Sequence, residues 1–166
     1  LGSMGAILIE GPKWCGKTTT ALQYANSSLK MQDPLSSINN QLIAKTAPNL
    51  LLEGEKPRVI DEWQTAPILW DTVRADVDRS GEKGQYILTG SPTPIKDKTM
   101  HTGTGRIARI KMYPMSLYES EDSIGSISLS SLFKCEPVIP TKSRKSIHDI
   151  AYLICRGGWP QHIGLD

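Results

Sequence analysis

The chain has 166 residues, 39% hydrophobic and 22% charged, and 19 basic against 17 acidic side chains leave a net charge of +2. That composition excludes collagen-like, disordered and disulfide-scaffold chains, and the near balance of charge lacks the electrostatic footprint of a dedicated nucleic-acid binder. No apolar run approaches the roughly 20 residues of a membrane helix, and Cys15, Cys135 and Cys155, widely spaced with no CxxC, suggest neither a disulfide framework nor a zinc site and fit a reducing cytoplasm.

In chain order, residues 6–9 are apolar on both faces, the pattern of a strand buried in a parallel sheet between helical layers. A glycine loop follows over 11–16, and then a helix over 17–26 with Ala21, Leu22 and Ala25 on one stripe. A strand is expected at 28–31, a turn at Asp33-Pro34, and a helix over 37–45. Residues 58–61 repeat the buried-strand pattern and end in an acid. Thr65-Ala66-Pro67 then opens a helix carrying Leu69, Val73 and Val77 on one face. A further strand spans 85–89 and ends in Gly90-Ser91. The alternation predicts a parallel sheet with crossover helices.

The polar run 92–105 reads as a loop or a short broken helix leading to a last strand over 107–113, and the serine- and acid-rich run 116–131 reads as loop. A short helix is expected at 130–134, an extended link at 137–140, and a helix over 146–155 capped by Ser146, with Asp149 in its first turn. These features divide the chain into a core over 1–115, a loop-rich connection over 116–145, and the start of a truncated C-terminal domain over 146–166.

Residues 11–18, GPKWCGKT, fit GxxxxGK[ST] between a strand and a helix, the context in which this motif makes a phosphate-binding loop. Gly11 and Gly16 let the backbone curl so that successive N–H groups face a phosphate, with Pro12, Lys13, Trp14 and Cys15 between them. Lys17 brings a point charge to the β- and γ-phosphates. The Thr18 hydroxyl is placed to ligate Mg²⁺, and Thr19 follows it on the same helix. At the C-terminal end of the 58–61 strand, where ligands bind open α/β sheets, Asp61 is the candidate Mg²⁺ carboxylate and Glu62 the candidate general base. Thr89 or Ser91 is the candidate hydroxyl to sense the γ-phosphate or position the attacking water, with the alternative that these small polar residues only form the turn. Arg106 and Arg109 are candidate transition-state cations, with the alternative that they line a solvent-exposed edge strand. His101, His148 and His162 have no metal-ligand spacing.

The runs GAILIEGPKWCGKTTTA, PRVIDEWQ, YILTGS and GRIARIKMYPMSLYE together resemble the prokaryotic AAA-type ATPases whose carboxyl half is a separate domain of unknown function. The resemblance implies an α/β P-loop fold, AAA- and RecA-like, with a central parallel sheet of order 5-1-4-3-2 flanked by helices. It implies ATP and Mg²⁺ as cofactors, Gly11, Gly16, Lys17 and Thr18 in the phosphate loop, Asp61 for the metal and Glu62 as base. Thr89 or Ser91 would then be the sensor and Arg106 an arginine finger acting on a neighbouring subunit. The expected function is hydrolysis of Mg-ATP to drive a conformational change in a larger protein, with self-association or a protein client as partner. A nucleotide-gated switch with little turnover, associated with nucleic acid although the charge does not support it, and a P-loop kinase remain as alternatives.

Overall fold

The structure, a computed structural model, describes residues 1–90, 103–138 and 142–164. Ser91 and His101, and part of the 137–140 link, therefore lie outside the described residues. Five strands, β1 (Ala6–Glu10), β2 (Ser27–Lys30), β3 (Arg58–Asp61), β4 (Tyr86–Gly90) and β5 (Ile107–Lys111), form one sheet in the order β2-β3-β4-β1-β5, with every neighbouring pair parallel. This is the expected 5-1-4-3-2 order counted from the opposite edge. The register sets Ala6 beside Tyr86 and Ile107, and Glu10 beside Gly90 and Lys111, so the loop after β1 opens at the C-terminal edge of the sheet.

Side chains alternate between the two faces of each strand, and each face has its own cover. Ala6, Leu8, Ile60, Tyr86, Leu88 and Ile107 pack against Leu69, Trp70, Val73 and Val77 of helix α3 (Ile68–Ser80), joined by Ala44 of α2 (Ser37–Thr46). Ile9, Val59 and Ile87 face the other way, onto Ala21 of α1 (Lys17–Leu22). The i, i+4 spacing of Leu69, Val73 and Val77 is what lets α3 lay one stripe on the sheet. Burying each such side chain contributes about 1.5–3 kcal/mol.

Two boundaries differ by more than one residue from those expected. The helix expected over 17–26 is α-helical only to Leu22 and then tightens into three-residue turns, with Tyr24 N–H donating to Ala21 and Ala25 N–H to Leu22. Asn26 N–H is already donating to the Pro57 carbonyl at 2.8 Å, so pairing of β2 with β3 draws the chain out of the helix. The strand expected to reach 113 ends at Lys111. Met112 N–H still donates to Glu10, but Pro114 has no N–H with which to prolong a ladder.

Below the sheet's N-terminal edge, Lys56 Nζ lies 3.7 Å over the Tyr86 ring and donates to the Leu52 carbonyl at 2.7 Å, while Tyr86 Oη donates to Asp76. Burial pulls the Lys56 amine down to about 8, with Asp76 opposing and Arg58 adding to the shift. Burial and the bond to Asp76 push the Tyr86 hydroxyl well above its ordinary value. An unfolded lysine keeps its proton to about pH 10.4 and an unfolded tyrosine to about pH 10. Between pH 8 and 10 the unfolded chain therefore binds more protons through Lys56 than the folded one, so stability rises with pH there; above pH 10 Tyr86 reverses the slope. Denaturant midpoints measured from pH 7.5 to 10.5 should rise and then fall, and Lys56→Met should flatten the rise. An unchanged slope in that variant would contradict the assignment.

Contacts divide the chain into two compact units, Leu1–Tyr113, which holds the sheet, and Pro114–Asp166. The second unit contains α4 (Leu129–Phe133) and α5 (Ile147–Arg156). A capping box starts α5, with the Ser146 hydroxyl accepting from Asp149 N–H and the Asp149 carboxylate accepting from Ser146 N–H. Asp122 ties the unit together, accepting from Arg156 at 2.7 Å, Ser120 at 2.8 Å and Lys145 at 3.0 Å. Those bonds, Arg156 first, hold its carboxyl at about 2. Met115 N–H donates to Gly158 at 2.7 Å and brings the two ends of the unit together.

Candidate functional site

Three chain segments meet at the C-terminal edge of the sheet: the 11–16 loop after β1, the end of β3 and the end of β4. The loop needs glycine at two positions for different reasons. A Cβ on Gly11 would stand 2.3 Å from the Met112 carbonyl oxygen, because the loop leaves β1 pressed against the end of β5. Gly16 has φ +99°, a left-handed conformation that glycine adopts without strain, and it turns the chain into α1. Trp14 is also left-handed, at φ 62°, and its indole is 73% exposed, whereas Cys15 is buried. Lys13 and Thr19 are exposed and Pro12 is half-buried.

Lys17 is buried, and its Nζ donates to the Gly11 carbonyl at 3.0 Å and the Pro12 carbonyl at 2.8 Å. An ammonium has three donors, so the loop's own carbonyls aim the amine and leave one N–H for a ligand held by the loop. Beside it, Thr18 Oγ1 donates to Asp61 Oδ1 at 2.7 Å, across 43 residues of sequence. The fully buried Thr89 hydroxyl donates to the same oxygen. Asp61 is thus gripped from α1 and from β4 at once. Its second oxygen and the Thr18 hydroxyl are hard oxygen donors of the kind Mg²⁺ prefers, so the residues present fit that ion.

Glu62 sits one residue beyond the strand in a left-handed conformation, φ 57° and ψ 43°, which swings its side chain off the line of β3. Its carboxylate accepts from Gln64 Nε2. The turn Trp63–Thr65 holds that geometry, with Thr65 donating from both its N–H and its hydroxyl to the Glu62 carbonyl, and Trp63 buried 5.1 Å from the Trp70 ring.

A family model for the AAA domain matches residues 3–121. The chain belongs to the AAA domain family. As an AAA domain it is a nucleotide-binding, ATPase-type P-loop protein, and its all-parallel sheet and glycine loop are those of that fold. No curated protein matches the sequence. Among the described residues of this AAA domain, no helix is long and apolar enough to cross a membrane.

The arginines fall elsewhere. Arg106 precedes Ile107, which pairs with Ala6 at the N-terminal edge, so five strand residues, about 17 Å, separate it from the loop side. Its guanidinium is exposed and donates to Asp78 at 2.6 Å. It therefore cannot serve the phosphate loop of its own chain. Arg109 lies 3.8 Å from the Glu10 carboxylate and over the Trp70 ring, and Lys111 lies over Tyr113.

Gln64 is the residue near the site that sequence reasoning passes over. The available signal is a polar side chain two positions after the Asp61-Glu62 pair, where the pattern otherwise reads only as the approach to a helix.

Proposed function

We propose that this AAA domain hydrolyses the β,γ bond of Mg-ATP and that the change of nucleotide drives a conformational change in a larger protein. The observation that carries this reading is the Asp61 carboxylate, bound by the hydroxyl that follows the phosphate-loop lysine and followed at once by a second carboxylate. The loop amides and Lys17 would bind the β- and γ-phosphates, with Thr18 and Asp61 holding Mg²⁺. That ion would neutralise charge developing between the two phosphates. Glu62 accepts a proton from water as the water oxygen bonds to the γ-phosphorus, and the bridging P–O bond breaks with its electron pair leaving on ADP. Thr89, by donating to Asp61, keeps that carboxylate oriented. Release of inorganic phosphate from Mg-ATP with no added acceptor tests the reading, since a kinase would need an acceptor and a binding switch would release little.

Arg106 fits this scheme as a cation offered to a second copy of the chain, the arrangement suited to a guanidinium displayed at the opposite sheet edge. Turnover per chain should then rise with protein concentration, and Arg106→Ala should cut the assembled rate tenfold or more while leaving the dilute rate alone. Concentration-independent hydrolysis that survives Arg106→Ala would exclude it.

A further inference from the structure

We propose that Gln64 is a positioning residue that holds the Glu62 carboxylate in its working orientation, an inference that rests on the reading of Glu62 as the base. The amide donates from Nε2 to Glu62 Oε2, while its own Oε1 is buried and accepts from no group among the described residues. An unpartnered buried acceptor is costly, and folds retain such groups mainly where they perform a task.

The surroundings show what the arrangement achieves. A Cβ on Gly90, the last residue of β4, would lie 2.2 Å from Gln64 Oε1 and 3.0 Å from Cδ, so the amide rests against β4 in space that only glycine leaves open. On the other side the turn is anchored by the two Thr65 bonds to Glu62 and by the buried Trp63. Turning the amide over would set Oε1 against the carboxylate, oxygen facing oxygen. The amide is therefore fixed with its donor toward Glu62, and one carboxylate oxygen is committed. The other oxygen keeps its lone pairs for a proton from water. Asp61 is tied to β4 by Thr89 one step earlier, so both acids at the end of β3 take their orientation from β4.

Steady-state ATP hydrolysis and Mg-ATP binding by the full chain test the proposal. Gln64→Leu, which keeps the bulk and removes the donor, should lower kcat about tenfold, the worth of one hydrogen bond to a charged group, with KM and the dissociation constant unchanged within twofold. Gly90→Ala should do the same by displacing the amide. Gln64→Ser combined with Gly90→Ala should fall no further than Gln64→Ser alone, since both changes act on one contact. Unchanged kcat in Gln64→Leu, a loss shared equally by binding, or fully additive losses would overturn the proposal. If Gly90→Ala fails to fold, Gln64→Leu and a second readout decide. In ¹⁵N-edited NMR spectra a Gln64 side-chain amide proton should resonate at low field and move upfield in Glu62→Ala; no movement would mean that no hydrogen bond joins the pair. This readout needs no turnover. Wild-type hydrolysis no faster than that of Glu62→Gln would remove the base reading alone, and an NMR shift would still support the clamp.

Discussion

Lys17→Ala is expected to weaken Mg-ATP binding at least a hundredfold, roughly 2.7 kcal/mol, measured by calorimetric titration or by the nucleotide-induced rise in Tm. The magnitude follows from where the amine stands. It is buried against the Gly11 and Pro12 carbonyls, so its charge meets a phosphate in a poorly solvated loop, where a charge-assisted hydrogen bond is worth about 1.5–3 kcal/mol. The variant also loses two bonds that shape the loop. The melting temperature without nucleotide should therefore be compared first, and a small change there with a large loss of binding locates the effect at the ligand. Affinity within threefold of wild type would remove the 11–18 loop from the binding site.

Glu62→Gln should leave Mg-ATP affinity nearly unchanged and lower kcat by about 10²–10⁴, the range by which a positioned general base accelerates proton transfer. The substitution keeps shape and can still accept the hydrogen bond from Gln64, so the turn Trp63–Thr65 and its contacts should persist. Only the capacity to take a proton is lost. Single-turnover phosphate release checks this, and comparable rates in variant and wild type would refute Glu62 as base. The opposite signatures of the two variants, binding lost in one and chemistry lost in the other, separate the phosphate loop from the acid at the end of β3.

Much of this site was legible before folding because its parts are local. A glycine loop between a strand and a helix needs only contiguous residues, and so does an apolar strand ending in Asp61-Glu62. The early end of α1 was not legible, because the Asn26 bond to Pro57 that draws the chain into β2 spans 31 residues and has no trace in helical periodicity. Gln64 escaped for a similar reason. Its partner Glu62 is two residues away, yet the space that fixes its amide is supplied by Gly90 on another strand. The place of Arg106 was not legible either: its residue type suits a transition-state cation, and the parallel pairing of β5 with β1 sets it at the far edge of the sheet, away from the loop of its own chain.

From its residues alone this protein declared a phosphate-binding loop, a pair of acids at a strand end and an α/β alternation of elements, because each depends on side-chain period and backbone freedom over a few successive positions. Which groups converge was decided only when the sheet assembled. Asp61 takes hydroxyls from Thr18 and Thr89, Glu62 is steered by an amide braced on Gly90, and Arg106 is turned away from its own loop. Strand order and register set these distances, and they are fixed by burial of both sheet faces at once, a condition no single segment can satisfy by itself.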